Sequence, residues 1–203
     1  MIRLVLVFNT HGKPRLVKFF DRVHVSKQQA LLKRTADLIL ARPKNACNFL
    51  DPQEASLPPS SSSFSSSSSS PPSPDSTTLA SADKPAADDD FPLAALLGHP
   101  SAPGKLKLVF RFYATLCFAM VVDAAESELA ILDLIQVLVE SLDQALGPNV
   151  CELDLVFNFD RAHMLLAEII QGGLVLETNV KTIVANYRIV AEAAKPSGGA
   201  VGA

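Results

Sequence analysis

The stretch from residue 51 to residue 104 limits this chain more than any other. It contains PPSSSSFSSSSSSPPSPDSTT and KPAADDDFP. Proline blocks both helix and ladder hydrogen bonding, and serine brings no apolar surface to offset the entropy of ordering a chain. The segment therefore reads as a disordered insertion. Taking its 54 residues from 203 leaves 149, the size of one ordinary domain. Both flanks carry apolar periodicity, so one fold interrupted by a long loop is expected. Residues 1–50 and 105–194 form that domain, and KPSGGAVGA (195–203) is a frayed tail.

The flanks divide into punctuated elements. IRLVLVF (2–8) reads as a buried strand, NTHGK as a turn and PRLVKFF (14–20) as the hairpin partner. Residues 26–42 have helical spacing, with Leu31, Leu32, Thr35, Leu38 and Ile39 on one face. Ser26 and Gln29 are spaced as a capping box, and Pro43 stops the helix. ACNFL (46–50) suits a short third strand; KLKLVFRFY (105–113) alternates, and CFAMVVD (117–123) is a continuous β-type run. A long helix follows over 126–146, with Asp123 and Glu126 in capping-box spacing and Gly147-Pro148 at its end. The last helix spans 180–194 with Asn179 as cap. Strands cluster early and helices late. That order implies an α+β fold, an antiparallel sheet flanked by helices.

NVCELDLVFNFDRAH (149–163) supports two readings. Cys151, Leu153, Leu155, Phe157 and Phe159 alternate as in a strand. Leu153, Val156, Phe157, Phe159, His163, Leu166, Ala167 and Ile170 also fit helical spacings. No Gly or Pro lies between Asn149 and Gln171, Asn149 and Glu152 have capping spacing, and Gly172 suits a helix end. One helix is preferred. Cys151 and His163 would then stand roughly 18 Å apart at ~1.5 Å per residue. A nucleophile and its base need about 3 Å. Glu152 and Asp154 read instead as first-turn acids favoured by the helix dipole.

Other chemical motifs are incomplete. HGK (11–13) lacks the preceding Gly and following Ser/Thr of a phosphate loop. His11, His24, His99 and His163 show no metal-ligand spacing, and Gly172-Gly173 reads as a helix stop. No catalytic residue, metal or cofactor is expected. A net charge of −3 argues against nucleic acid as the main partner. Cys47, Cys117 and Cys151 form no C-x-x-C pair, which fits a reducing compartment such as the cytosol. No run reaches the roughly 18 apolar residues of a membrane span.

Six blocks together carry a resemblance: MIRLVLVFNTHGKPRLVKFF, NACNFL, FRFYATLCFAMVVD, ESELAILDLIQVLVESLD, NVCELDLVFNFD and GGLVLETN. In this order they resemble the small (sigma) subunit of the heterotetrameric clathrin-associated adaptor complexes. ESELAILDLIQ and GGLVLETN are most similar to the adaptor complex three branch, which serves traffic from endosome or trans-Golgi to lysosome- or vacuole-like organelles. The resemblance implies a longin-like fold: a five-stranded antiparallel sheet with one helix on one face and helices on the other. The expanded 51–104 segment and the extra Gly147-Pro148 depart from the family pattern.

The resemblance also implies a non-catalytic role beside large and medium subunits of a heterotetramer. The expected place is the cytoplasm, at the cytoplasmic face of Golgi and endosomal membranes and coated vesicles, with membrane contact peripheral and through the complex. Cytosolic tails of membrane cargo carrying the acidic dileucine signal [DE]-x-x-x-L-[LI] are the implied ligands. Carried over by alignment, Ala114, Leu116, Val139, Asn149, Val150 and Leu155 would line the two leucine pockets. Arg15 would lie near the acidic residue, helped by a basic residue of the large subunit. Without the resemblance, the apolar positions read as core or subunit interface and Arg15 as a solvated hairpin charge. Ser70 and Ser73, each before a proline, are candidate phosphorylation sites. The rival readings are a coatomer zeta-type subunit or other longin-like scaffold, and an enzyme using Cys151 or the acids.

Overall fold

A computed structural model of the chain describes residues 1–43, 46–51 and 106–194. The elements are β1 (Ile2–Asn9), β2 (Pro14–Phe19), α1 (Val25–Leu40), β3 (Phe49–Leu50), β4 (Leu106–Tyr113) and β5 (Leu116–Asp123). They are followed by α2 (Glu128–Leu146), α3 (Glu152–Phe157), α4 (Phe159–Ile169), β6 (Ile170–Gln171), β7 (Leu174–Val175) and α5 (Val180–Ala193). The first five strands form one sheet in the order β2-β1-β5-β4-β3, antiparallel at every junction. This is the expected α+β architecture.

The near-continuous apolar runs of β1 and β5 follow from their central places, because a strand covered on both faces has no side left for polar residues. Leu4, Leu6, Phe8, Cys117, Ala119 and Val121 share a core with Leu31, Ala36 and Ile39 of α1. Val5, Val7, Phe118, Met120 and Val122 share the opposite core with α2, α4 and α5. The sheet thus has one helix on one face and the remaining helices on the other. α2 buries Ile131, Leu134, Ile135, Leu138 and Leu142, a stripe spaced by three and four residues.

Phe49 and Leu50 pair with Val109 and Leu108. The 51–104 segment therefore joins two strands that are already neighbours in one sheet. Closing a loop between such ends becomes only slowly more costly with length, about 0.6 kcal/mol per doubling. Ser70 and Ser73, and all of 52–105, lie outside the described residues.

Several boundaries differ from expectation. α1 begins one residue early and ends at Leu40, two residues early, and its cap is His24 in place of Ser26: the His24 ring accepts the Ser26 N–H. The third strand shortens to two residues. α2 begins at Glu128 behind Ser127, and Asp123 is no cap. Its carboxylate instead takes hydrogen bonds from Arg3 at 2.8 and 3.1 Å, while Arg3 also reaches Asp21 at 2.9 Å. That cluster ties β1, the loop after β2 and the end of β5 together. α5 and its Asn179 cap stand as expected, with the Asn179 side chain accepting the N–H of Lys181 at 3.0 Å.

The single helix expected over 149–171 is broken. Asn158 leaves helical geometry (φ −118°, ψ 36°), and its side-chain amide donates to the Asp154 carbonyl at 3.0 Å. A side chain competing for ladder carbonyls is a known way to interrupt a helix. The expected cap is also displaced. Asn149 is exposed in the left-handed region (φ 60°), and Cys151 caps α3, with Asp154 accepting the Cys151 N–H at 2.9 Å. Gly172-Gly173 is a hairpin turn between β6 and β7 (φ 60° and 80°), as a two-residue turn with both φ positive requires. The break rotates the helical face: Leu155, Ala162, Leu165, Leu166 and Ile169 are buried, while Leu153, Val156, Phe157 and Phe159 are exposed.

Candidate functional site

The site begins with an irregular hairpin. β1 and β2 pair Val7 with Leu16, then Phe8 with Pro14, so Arg15 has no partner across the ladder. Such a bulge re-aims the extra residue's side chain. The Arg15 guanidinium meets the Glu152 carboxylate in the first turn of α3. Asn9, only 6% exposed, donates to the same carboxylate oxygen at 3.1 Å. Its own side-chain oxygen accepts the N–H groups of His11 and Lys13 at 3.0 and 2.9 Å, which closes the turn. The Arg15 hydrogen bond, with that of Asn9, holds the Glu152 carboxyl below the usual range. The buried Nε of Arg15 has no hydrogen-bond partner among the described residues.

Three residues beyond Glu152, Leu155 is fully buried. Leu116 is buried in the same core, and Val139 and Val150 pack half-buried against it. Asp143 accepts the Val150 N–H at 2.9 Å and fixes the segment entering α3. The structure thus gathers Leu116, Val139, Val150 and Leu155 in one core, with Arg15 held at the start of α3. It leaves Asn149 and Ala114 at the surface, both with positive φ. Ala114 lies in the two-residue turn between β4 and β5 and faces the other way. It lines a groove of about 610 Å³ with Thr10, Leu40, Phe110 and Phe112 on the α1 side.

The structural roles of Asn9 and Glu152 were not legible beforehand. Asn9 reads as an ordinary turn residue, and Glu152 as one of several helix-start acids. The partner of Arg15 depends on a register slip that no local pattern announces.

The thiols and the His163 imidazole are dispersed over the fold. Cys117 lies buried on β5, where burial pushes its thiol up. Cys47 and Cys151 are exposed. His163 is half-buried on α4, and burial, then the charge of Lys18, lowers its pKa. No group of three or more His, Cys, Asp or Glu residues among the described residues could hold a metal ion. A thiol reagent should label two cysteines rapidly in the native chain and the third only on unfolding. Rapid labelling of all three would contradict the burial of Cys117.

The five-stranded antiparallel sheet, with one helix on one face and the rest on the other, defines a longin-like small-subunit fold. The profile of the clathrin adaptor complex small chain matches residues 1–57 and 101–194, and the chain belongs to that family. The intervening 58–100 falls outside the match, as an insertion would. Within the family the chain is most like the sigma subunits of adaptor complex three. It is 39% identical over 199 residues to the human AP-3 complex subunit sigma-2, covering 98% of this chain and 79% of that one. It is 41% identical over 184 residues to the AP-3 complex subunit sigma of Schizosaccharomyces pombe, covering 91% and 82%. It also aligns with a chain of a structure described as a homology model of the full-length AP-3 complex in a stretched open conformation. The TM-score there is 0.59 at 35% identity, covering 96% of this chain and 95% of that one.

Proposed function

We propose that this chain is the sigma subunit of an AP-3-type heterotetramer, packing against large and medium subunits and helping to read acidic dileucine signals in the cytosolic tails of membrane cargo. The traffic served runs from endosome or trans-Golgi to lysosome- or vacuole-like organelles, on the cytoplasmic face of those membranes. The observation that carries the cargo reading is Arg15. A bulge aims it at a carboxylate beside the apolar seam of Val139 and Val150.

The mechanism is an exchange of partners. Glu152 occupies the guanidinium as an internal acid. The acidic residue of a cargo tail replaces it and gains a charge-assisted bond of about 1.5–3 kcal/mol. Glu152 is also a first-turn residue of α3, so its release loosens the short helix that carries Leu155. With α3 displaced, the two leucines enter beside Leu116, Val139, Val150 and Leu155, each gaining about 1.5–3 kcal/mol if fully buried. Asn149 borders the entrance, whereas Ala114, which lines the groove on the α1 side, lies away from it. Ordering the tail offsets much of this gain, which makes binding reversible.

The test is fluorescence anisotropy with a labelled acidic dileucine peptide and the assembled complex, isolated with its large and medium subunits. Replacing both peptide leucines by alanine should weaken binding at least tenfold. Equal affinity for the two peptides would remove the cargo reading and leave the assembly role standing.

A further inference from the structure

The modest net charge conceals a strong separation of charge. Residues 1–51 carry ten Lys/Arg against three Asp/Glu, whereas residues 106–194 carry five against twelve. The fold turns this difference along the chain into a difference between layers. The first segment supplies α1 and the β1–β2 hairpin; the second supplies α2 to α5 on the other face of the sheet.

Within the basic layer the two kinds of cation are used differently. Arg3 is bound to Asp21 and Asp123, Arg15 to Glu152, and Arg42 to the carbonyls of Cys47 and Phe49. Lys13, Arg22, Lys27 and Lys33 are exposed and make no ion pair among the described residues. Lys33 and Gln29 line a cleft with His11 and Gly12, which joins the helix surface to the hairpin turn beside Lys13. Asp37 lies in the same cleft as the exposed acid of this layer. At the start of α1, Val25 is 75% exposed between Arg22 and Lys27.

We propose that this α1 layer is a docking surface for an anionic phospholipid bilayer, touched directly by this subunit. Three features favour lipid over an acidic protein. The free cations are mostly lysines, flexible point charges suited to a mobile layer of headgroups rather than to fixed bidentate carboxylates. They spread over a helix surface and a turn instead of converging on a pocket. An exposed apolar side chain sits among them, the combination that inserts at a membrane interface. Among the described residues no helix is long and apolar enough to cross a membrane, so the contact is peripheral. This inference is independent of the dileucine reading, because Arg22, Lys27 and Lys33 take no part in the Arg15–Glu152 contact.

The experiment is vesicle co-sedimentation of the assembled complex, wild type against the R22Q/K27Q/K33Q variant. One set of vesicles is phosphatidylcholine alone and the other contains about 30 mol% phosphatidylserine, near the upper range of anionic surface potential. Wild type should partition to the anionic vesicles and be released by salt. The triple variant should partition at least tenfold more weakly, since each cation near such a surface is worth roughly fivefold. V25D should weaken it further, and solution binding of the dileucine peptide should be unchanged in both variants. Equal partitioning of wild type and the triple variant would overturn the proposal. So would variants that retain vesicle binding but lose binding to polyglutamate, which would assign the surface to an acidic protein.

Discussion

Arg15→Glu is expected to weaken binding of an acidic dileucine peptide to the assembled complex by roughly ten- to a hundredfold, while the complex still assembles. The loss follows from one charge-assisted bond of about 1.5–3 kcal/mol, at 1.4 kcal/mol per factor of ten. Reversal adds repulsion, because the new carboxylate would face Glu152 where a guanidinium now stands. Glu152→Gln should act in the opposite sense. It removes the internal competitor for Arg15 and leaves a side chain of nearly the same shape, so the peptide should bind several-fold more tightly. Anisotropy titrations of the two variants settle the matter as a pair. Unchanged affinity in Arg15→Glu would sink the role given to this arginine. Weaker binding in Glu152→Gln would show that the glutamate supports the site instead of occupying it.

Leu155→Ala should destabilise the full chain by about 2–5 kcal/mol, the usual cost of emptying a fully buried leucine site. Leu153→Ala, two residues away, should change stability by no more than ~0.5 kcal/mol. Leu153 is 61% exposed and Leu155 is 0% exposed. Urea midpoints of the two variants give the comparison directly. Similar midpoints would mean that α3 does not present its faces as described.

The contrast between these two leucines shows where sequence reasoning reached and where it stopped. β1 and β5 were legible because central strands leave a continuous apolar record. α2 was legible because five buried residues repeat at helical spacing over 19 residues. The resemblance added the single helix on one face of a five-stranded sheet. What stayed hidden depends on single hydrogen bonds. The Asn158 amide takes a carbonyl at 3.0 Å and breaks a stretch that no glycine or proline marks. Asp154 closes the α3 start two residues past the expected cap. At the site, the apolar residues were named together only through the resemblance, since their spacing reads equally as core, and Arg15 and Glu152 are 137 positions apart and meet through a bulge. Neither end of that contact carries a local signature of the other.

The pairing of β3 with β4 has a practical consequence. Leu50 and Leu108 stand opposite one another in the ladder, so their separation is fixed by backbone hydrogen bonds at about 4.8 Å between strands. Whatever connects them is not asked to span a distance or to carry the sheet. The junction is in effect a permissive port for genetic fusion. A reporter whose own termini lie close together can be spliced there without the rest of the domain having to refold around it.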